Sequence, residues 1–129
     1  QQNAALLQQA GARVTLHSDD PGGIQRLNQE AAKAMYDGRR AGIPVTRDQA
    51  LRWITANPAW VLGIDSIAGT LEPGKMADVV VWSGDPFSVY TKALQVYNDG
   101  WLVYDRDDRA HQPRSDFELN QVPVPGSDR

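Results

Sequence analysis

The sequence predicts an α/β fold, and three observations carry that expectation. Val14-Thr15-Leu16-His17-Ser18-Asp19-Asp20-Pro21-Gly22-Gly23 is an apolar, β-branched run that breaks into two carboxylates, a proline and two glycines. A helical pattern begins directly after it at Ile24, the arrangement of a buried strand handing over to a helix. From Gly69 onward the period changes to strand type and closes on a hairpin signal at Asp99-Gly100. In parallel α/β architectures loops converge at the C-terminal ends of the strands, and chemistry sits there. The polar corner after Leu16 occupies such an end.

Ala4, Leu7 and Ala10 recur at near-helical spacing, so residues 1–10 read as a helix stopped by Gly11 in a left-handed position. The run lacks an initiator Met and a basic n-region and does not read as a signal peptide. A chain that starts in mid-helix is expected to be a piece of a longer protein. Ala12 to Leu16 reads as a strand with little alternation, as when both faces are buried in a parallel sheet. Asp20-Pro21 fits a helix start, with Asp20 as N-cap and Pro21 at the first helical position. Ile24, Leu27, Ala31, Ala34 and Met35 mark an apolar face, while Arg26, Gln29, Glu30 and Lys33 face away. Arg39-Arg40-Ala41-Gly42 ends the helix with cations at the C-terminal dipole, read as a solvated end, and a glycine beyond.

Ile43-Pro44-Val45 is a short linker. Thr46 and Gln49 match a capping box. The helix that follows carries Ala50, Leu51, Ile54 and Thr55 up to Asn57, and Pro58 to Leu62 forms a short helix ended by Gly63. Trp53 and Trp60 read as packing residues on these helices. Glu72-Pro73-Gly74-Lys75 has the proline and glycine of a type II turn at its two central positions. Ala77 to Trp82 is a valine-rich strand ended by Ser83-Gly84-Asp85-Pro86, and Leu94–Asn98 and Trp101–Tyr104 flank the hairpin turn. Residues 106–129 turn polar and proline-containing, as in a loosely held tail.

The 129 residues make one ordinary domain. A net charge of −3 gives no argument for a nucleic-acid partner. The absence of cysteine excludes a disulfide framework and a thiolate metal cage. No apolar run approaches the roughly 20 residues that cross a bilayer, so no membrane partner is expected.

The strand–His17-Ser18-Asp19-Asp20-Pro21–helix order, the Asn57-Pro58-Ala59 helix leading to Leu62-Gly63-Ile64, the run Gly69-Thr70-Leu71-Glu72-Pro73-Gly74-Lys75-Met76-Ala77-Asp78 feeding Val79–Trp82, and Asn98-Asp99-Gly100 together resemble the C-terminal part of the amidohydrolase superfamily. The closest look is to its imidazolonepropionase-like branch. The likeness covers about Ala4 to Tyr104, and its most specific piece is the Leu-Glu-Pro-Gly-Lys-x-Ala-Asp run. It implies a (β/α)8 barrel whose last β/α unit and terminal helices are residues 1–66. Residues 67–105 would be the C-terminal strands of a composite β-sandwich, and 106–129 a polar tail. It also implies hydrolysis of amide, cyclic amide or amidine-like C–N bonds with one or two divalent ions, zinc foremost, in the full-length parent.

The resemblance places Asp19 where the family's eighth-strand aspartate ligates the metal and acts as general base towards the attacking water. Read from the residues alone, Asp19 is more readily an Asx-turn aspartate before Pro21 than a catalytic one. Asp20 reads as the helix cap, with a substrate contact as its other role. His17 lies two residues before Asp19 and so on the same side of a strand. A role supporting the site from behind, or an interior hydrogen bond, is preferred for it over metal ligation; the family commonly has a small residue there, so the resemblance carries no role over to it. Gly22 and Gly23 read as loop positions of positive φ beside the substrate loop, close substrate approach being the other reading. His111 falls in the tail and is expected to be solvated.

The family's site also needs a His-x-His pair and further histidines, and this chain has two histidines in all. A tight site takes about three or four protein ligands. The chain alone is therefore expected to bind no metal tightly and to be inactive. Its partners would be the missing N-terminal part of the barrel and a small-molecule or peptide-like substrate. Exposed strand edges would offer a route to homo-oligomers. The competing reading is a non-catalytic scaffold or partner-binding module that keeps amidohydrolase-like elements.

Overall fold

The computed structural model describes residues 2–113; the expected tail beyond residue 113 lies outside them. A helical layer comprises α1 (Asn3–Gln9), α2 (Leu27–Arg40), α3 (Arg47–Arg52) and α4 (Ala56–Val61). A three-stranded antiparallel sheet follows, in the order β1 (Val79–Trp82), β2 (Ala93–Asn98) and β3 (Trp101–Asp105). A short 3-10 turn at Arg109–His111 completes it.

Local signals set most boundaries. The Thr46 hydroxyl accepts from the Gln49 amide at 3.1 Å, and the Gln49 side chain accepts from the Thr46 amide at 2.8 Å, which is the capping box that starts α3. Thr46→Ala is expected to cost about 1 kcal/mol. Thr46→Ser should cost little, and a shift of the urea midpoint separates the two. The helix expected to reach Asn57 instead breaks after Arg52, where the Thr55 hydroxyl donates to the Leu51 carbonyl at 2.8 Å. Asn57 lies inside α4, and its amide donates to the Val14 carbonyl at 2.6 Å.

The turn at Glu72–Lys75 is closed by the Lys75 amide on the Glu72 carbonyl at 3.2 Å, with Gly74 at φ +91°, as a type II turn requires. The Lys75 ammonium then donates to the Asp65 carbonyl and to the Thr70 hydroxyl, each at 2.7 Å, binding the approach to the sheet. At the hairpin Asp99 and Gly100 both have positive φ, 47° and 82°, the type I′ geometry that suits strand twist. Asp78 accepts from the Asp99 amide at 2.8 Å, so the last acidic residue of the Lys-Met-Ala-Asp run anchors the hairpin tip.

Ala12–Leu16 departs from expectation. It joins no strand ladder among the described residues, because a strand exists only through a partner and the sheet lies elsewhere in the chain. Its backbone bonds to the helices instead: Leu16 donates to the Trp53 carbonyl at 2.9 Å, and Val14 accepts from Asn57.

The core lies between α1, α2, α3 and this segment. Trp53 and Met35 are its largest fully buried side chains, and the Trp53 indole donates to the Gln8 side chain at 2.9 Å. α1 and α2 cross closely enough that a Cβ at Gly38 would come within 2.5 Å of the Ala5 Cβ. Phe87, from the loop after β1, is buried in the same cluster. Asn28 of α2 donates to the Pro86 carbonyl at 2.6 Å, and Arg47 of α3 pairs with Asp85. The Arg47 guanidinium and the Phe87 amide hold the Asp85 carboxyl below its ordinary range.

One expectation about a surface residue needs correction: Trp60 is half exposed rather than packed, with the Arg13 guanidinium 4.0 Å from its ring centroid. The α2 terminus is exposed as expected, with Arg39 also donating to the Val45 carbonyl at 2.8 Å and Arg40 pairing with Asp37.

Candidate functional site

The segment Ala12–Leu16 delivers the polar corner. Val14 is buried and Leu16 packs against the core, whereas His17 and Asp19, on the alternate positions, carry side chains 74% and 95% exposed. Ser18 between them is locked, its hydroxyl donating to the Asp20 carbonyl at 2.6 Å and accepting from the Asp20 amide at 3.1 Å. The Asp20 carbonyl also accepts from the amides of Gly23 and Ile24, at 3.0 and 3.2 Å.

Asp20 therefore does not cap α2 with its side chain. The chain passes through a turn at residues 21–23 and a 3-10 turn at Ile24–Arg26 before α2 starts at Leu27, and neither helix has a side-chain cap. The reason is that the backbone carbonyl of Asp20, fixed by Ser18, takes the free amides that a capping carboxylate would have taken. Gly22 and Gly23 are also corrected. Neither has positive φ, and Gly23 sits at φ −85°. Closeness bears on Gly23, where a Cβ would lie 2.9 Å from the Ser18 hydroxyl; at Gly22 a Cβ would meet only the movable Asp20 side chain, at 3.1 Å.

A shallow pocket of about 370 Å³ opens here, lined by His17, Ser18, Asp20, Gly22, Gly23, Arg26, Leu27 and Glu30. Arg26 and Glu30, read from the sequence only as solvent-facing, line it too; their four-residue spacing is the signal that puts them on one side. Asp19 stands beside it, with Oδ1 3.3 Å from His17 Nδ1. The structure thus gathers His17, Asp19, Asp20, Gly22 and Gly23 into one loop. His111 is elsewhere, its side chain 41% exposed and joined through Nδ1 to Asp108 Oδ2 at 2.7 Å.

An exposed carboxylate oxygen and an imidazole nitrogen are donor types that zinc accepts, so the corner fits part of a divalent-metal site. Among the described residues no group of three or more His, Cys, Asp or Glu side chains gathers, so these residues offer only part of a donor set.

The amidohydrolase family model matches residues 2–104. The N-substituted formamide deformylase of Arthrobacter pascens is 38% identical over 109 residues, which cover 75% of this chain and 20% of that protein. An imidazolonepropionase of Acinetobacter baumannii is 37% identical over 73 residues, 56% of this chain and 18% of that one. A solved amidohydrolase of Thermotoga maritima MSB8 superposes with a TM-score of 0.73 at 36% identity, over 81% of this chain and 26% of its own. The chain thus spans about a fifth of these two curated relatives. The metal-type corner, the type II turn and the hairpin all fall inside the matched stretch, and the chain belongs to the amidohydrolase family.

Proposed function

We propose that the chain is the C-terminal piece of a metal-dependent amidohydrolase that cleaves amide, cyclic amide or amidine-like C–N bonds, with Asp19 as metal ligand and general base. Residues 1–66 would close the barrel with its last β/α unit, and 67–105 would add strands to a composite sandwich. The carrying observation is Asp19 itself. In a chain of this family it stands 95% exposed at the end of Ala12–Leu16, with no hydrogen bond to its carboxylate among the described residues. The amide substrate named for the formamide deformylase supports the bond class.

When bound, a divalent ion, zinc foremost, polarises the substrate carbonyl and lowers the pKa of water near it. Asp19 accepts the proton of the attacking water on a carboxylate oxygen and returns it to the leaving nitrogen, so the carboxylate ends the cycle as it began. Ser18 bridges to the Asp20 backbone and so braces the main chain on either side of Asp19. Asp20, Gly22 and Gly23 form the wall against which substrate would lie.

The test uses the longer protein that contains this chain, assayed for amine release from N-formyl and N-acyl amines. Dialysis against a chelator should abolish turnover, and added Zn²⁺ should restore it. Full activity in the metal-free protein would refute the reading. A folded, metal-loaded protein inert on all these substrates would favour a scaffold.

A further inference from the structure

Resting on that reading of Asp19, we propose that His17 is a second metal ligand from the same loop, so that His17-x-Asp19 chelates one divalent ion. The two donors lie 3.3 Å apart, Nδ1 to Oδ1, yet no hydrogen bond joins them. The chain's other histidine–carboxylate pair behaves differently. His111 and Asp108 close to 2.7 Å in hydrogen-bonded alignment, as a mutually satisfied pair does.

The spacing is also one that a single ion would accept. With metal–nitrogen and metal–oxygen bonds of about 2.0–2.2 Å and a tetrahedral angle, two donors on one ion stand about 3.3–3.5 Å apart. His17 and Asp19 hold that separation. Both side chains are largely exposed, so neither is held there by core packing. The residue between them is fixed by two hydrogen bonds to Asp20, which gives the pair a rigid backbone base. A histidine serving only to orient Asp19 would donate to its carboxylate. This one meets the carboxylate as an ion-pair contact without the alignment of a hydrogen bond.

The experiment again uses the longer protein, with Zn²⁺ and Co²⁺ as probes. Zn²⁺ affinity is read by competition with a chromophoric chelator, and the ligand set by Co²⁺ absorption and by X-ray absorption. His17→Ala should weaken Zn²⁺ by more than about 100-fold, beyond the 10–100-fold that loss of a merely orienting partner produces. It should also change the Co²⁺ spectrum and remove one imidazole from the coordination shell. Thermal melting of the metal-free variant should match wild type, because His17 lies outside the core.

If His17→Ala keeps the wild-type spectrum and imidazole count while Asp19→Ala loses metal, the chelate is wrong and the reading of Asp19 stands. If neither variant alters metal binding, both fall.

Discussion

Asp19→Asn in the longer protein is expected to lower kcat/KM for C–N hydrolysis by at least about 10³. Asparagine keeps the size and leaves the loop intact, since the bonds that fix the corner run between Ser18 and the Asp20 backbone. What disappears is the negative charge and the proton acceptor. General acid–base catalysis alone contributes about 10²–10⁴, and the amide is also a poorer ligand for a divalent ion. The loss should therefore fall on kcat and on metal content together, with the melting temperature of the metal-free protein unchanged. Asp20→Asn provides the contrast. Its side chain borders the pocket while its backbone does the structural work, so less than tenfold is expected. Steady-state kinetics with metal analysis checks both, and Asp19→Asn within tenfold of wild type would remove Asp19 from the mechanism.

Trp53→Ala is the substitution expected to cost most stability, about 3–5 kcal/mol. The ring is fully buried where α1, α2 and α3 meet, and its removal leaves a cavity bounded by helices that cannot all collapse inward. It also strips Gln8 of the indole donor. Against the roughly 5–15 kcal/mol that holds a domain together, that loss is a large fraction. Trp53→Phe separates the contributions, keeping most of the apolar area while leaving Gln8 unpartnered, and should cost about 1–3 kcal/mol. Urea denaturation followed by circular dichroism orders the two. Equal midpoints would mean that the indole hydrogen bond, not the packing, dominates.

The features legible in the sequence are those decided by near neighbours. The capping box needs only Thr46 and Gln49, and the turns need only Pro73-Gly74 and Asp99-Gly100. Asp19 was legible for the same reason, as a carboxylate at the exit of an apolar run. What could not be read depends on distant partners or on the path of a loop. The ladder of Ala12–Leu16 requires strands that this sheet does not supply. Phe87 follows a strand-ending signal, yet its burial depends on α2 and α3, brought near by folding. The late start of α2 arises from competition for the Asp20 backbone, which residue types alone do not reveal. The 3.3 Å spacing of His17 and Asp19 is likewise a property of the loop once folded.

The loop after β1 was described above as three contacts: buried Phe87, Asn28 on Pro86, and Arg47 on Asp85. Taken together they make that loop a bolt driven from one layer into the other. Each contact reaches a different grip, an apolar one into the cluster, a polar one on α2 and an ionic one on α3. The sheet cannot swing away without drawing Phe87 out of the core and leaving Asn28 unsatisfied. Opening of the sheet is thus expected to be coupled to loosening of α2 and α3 through this one loop.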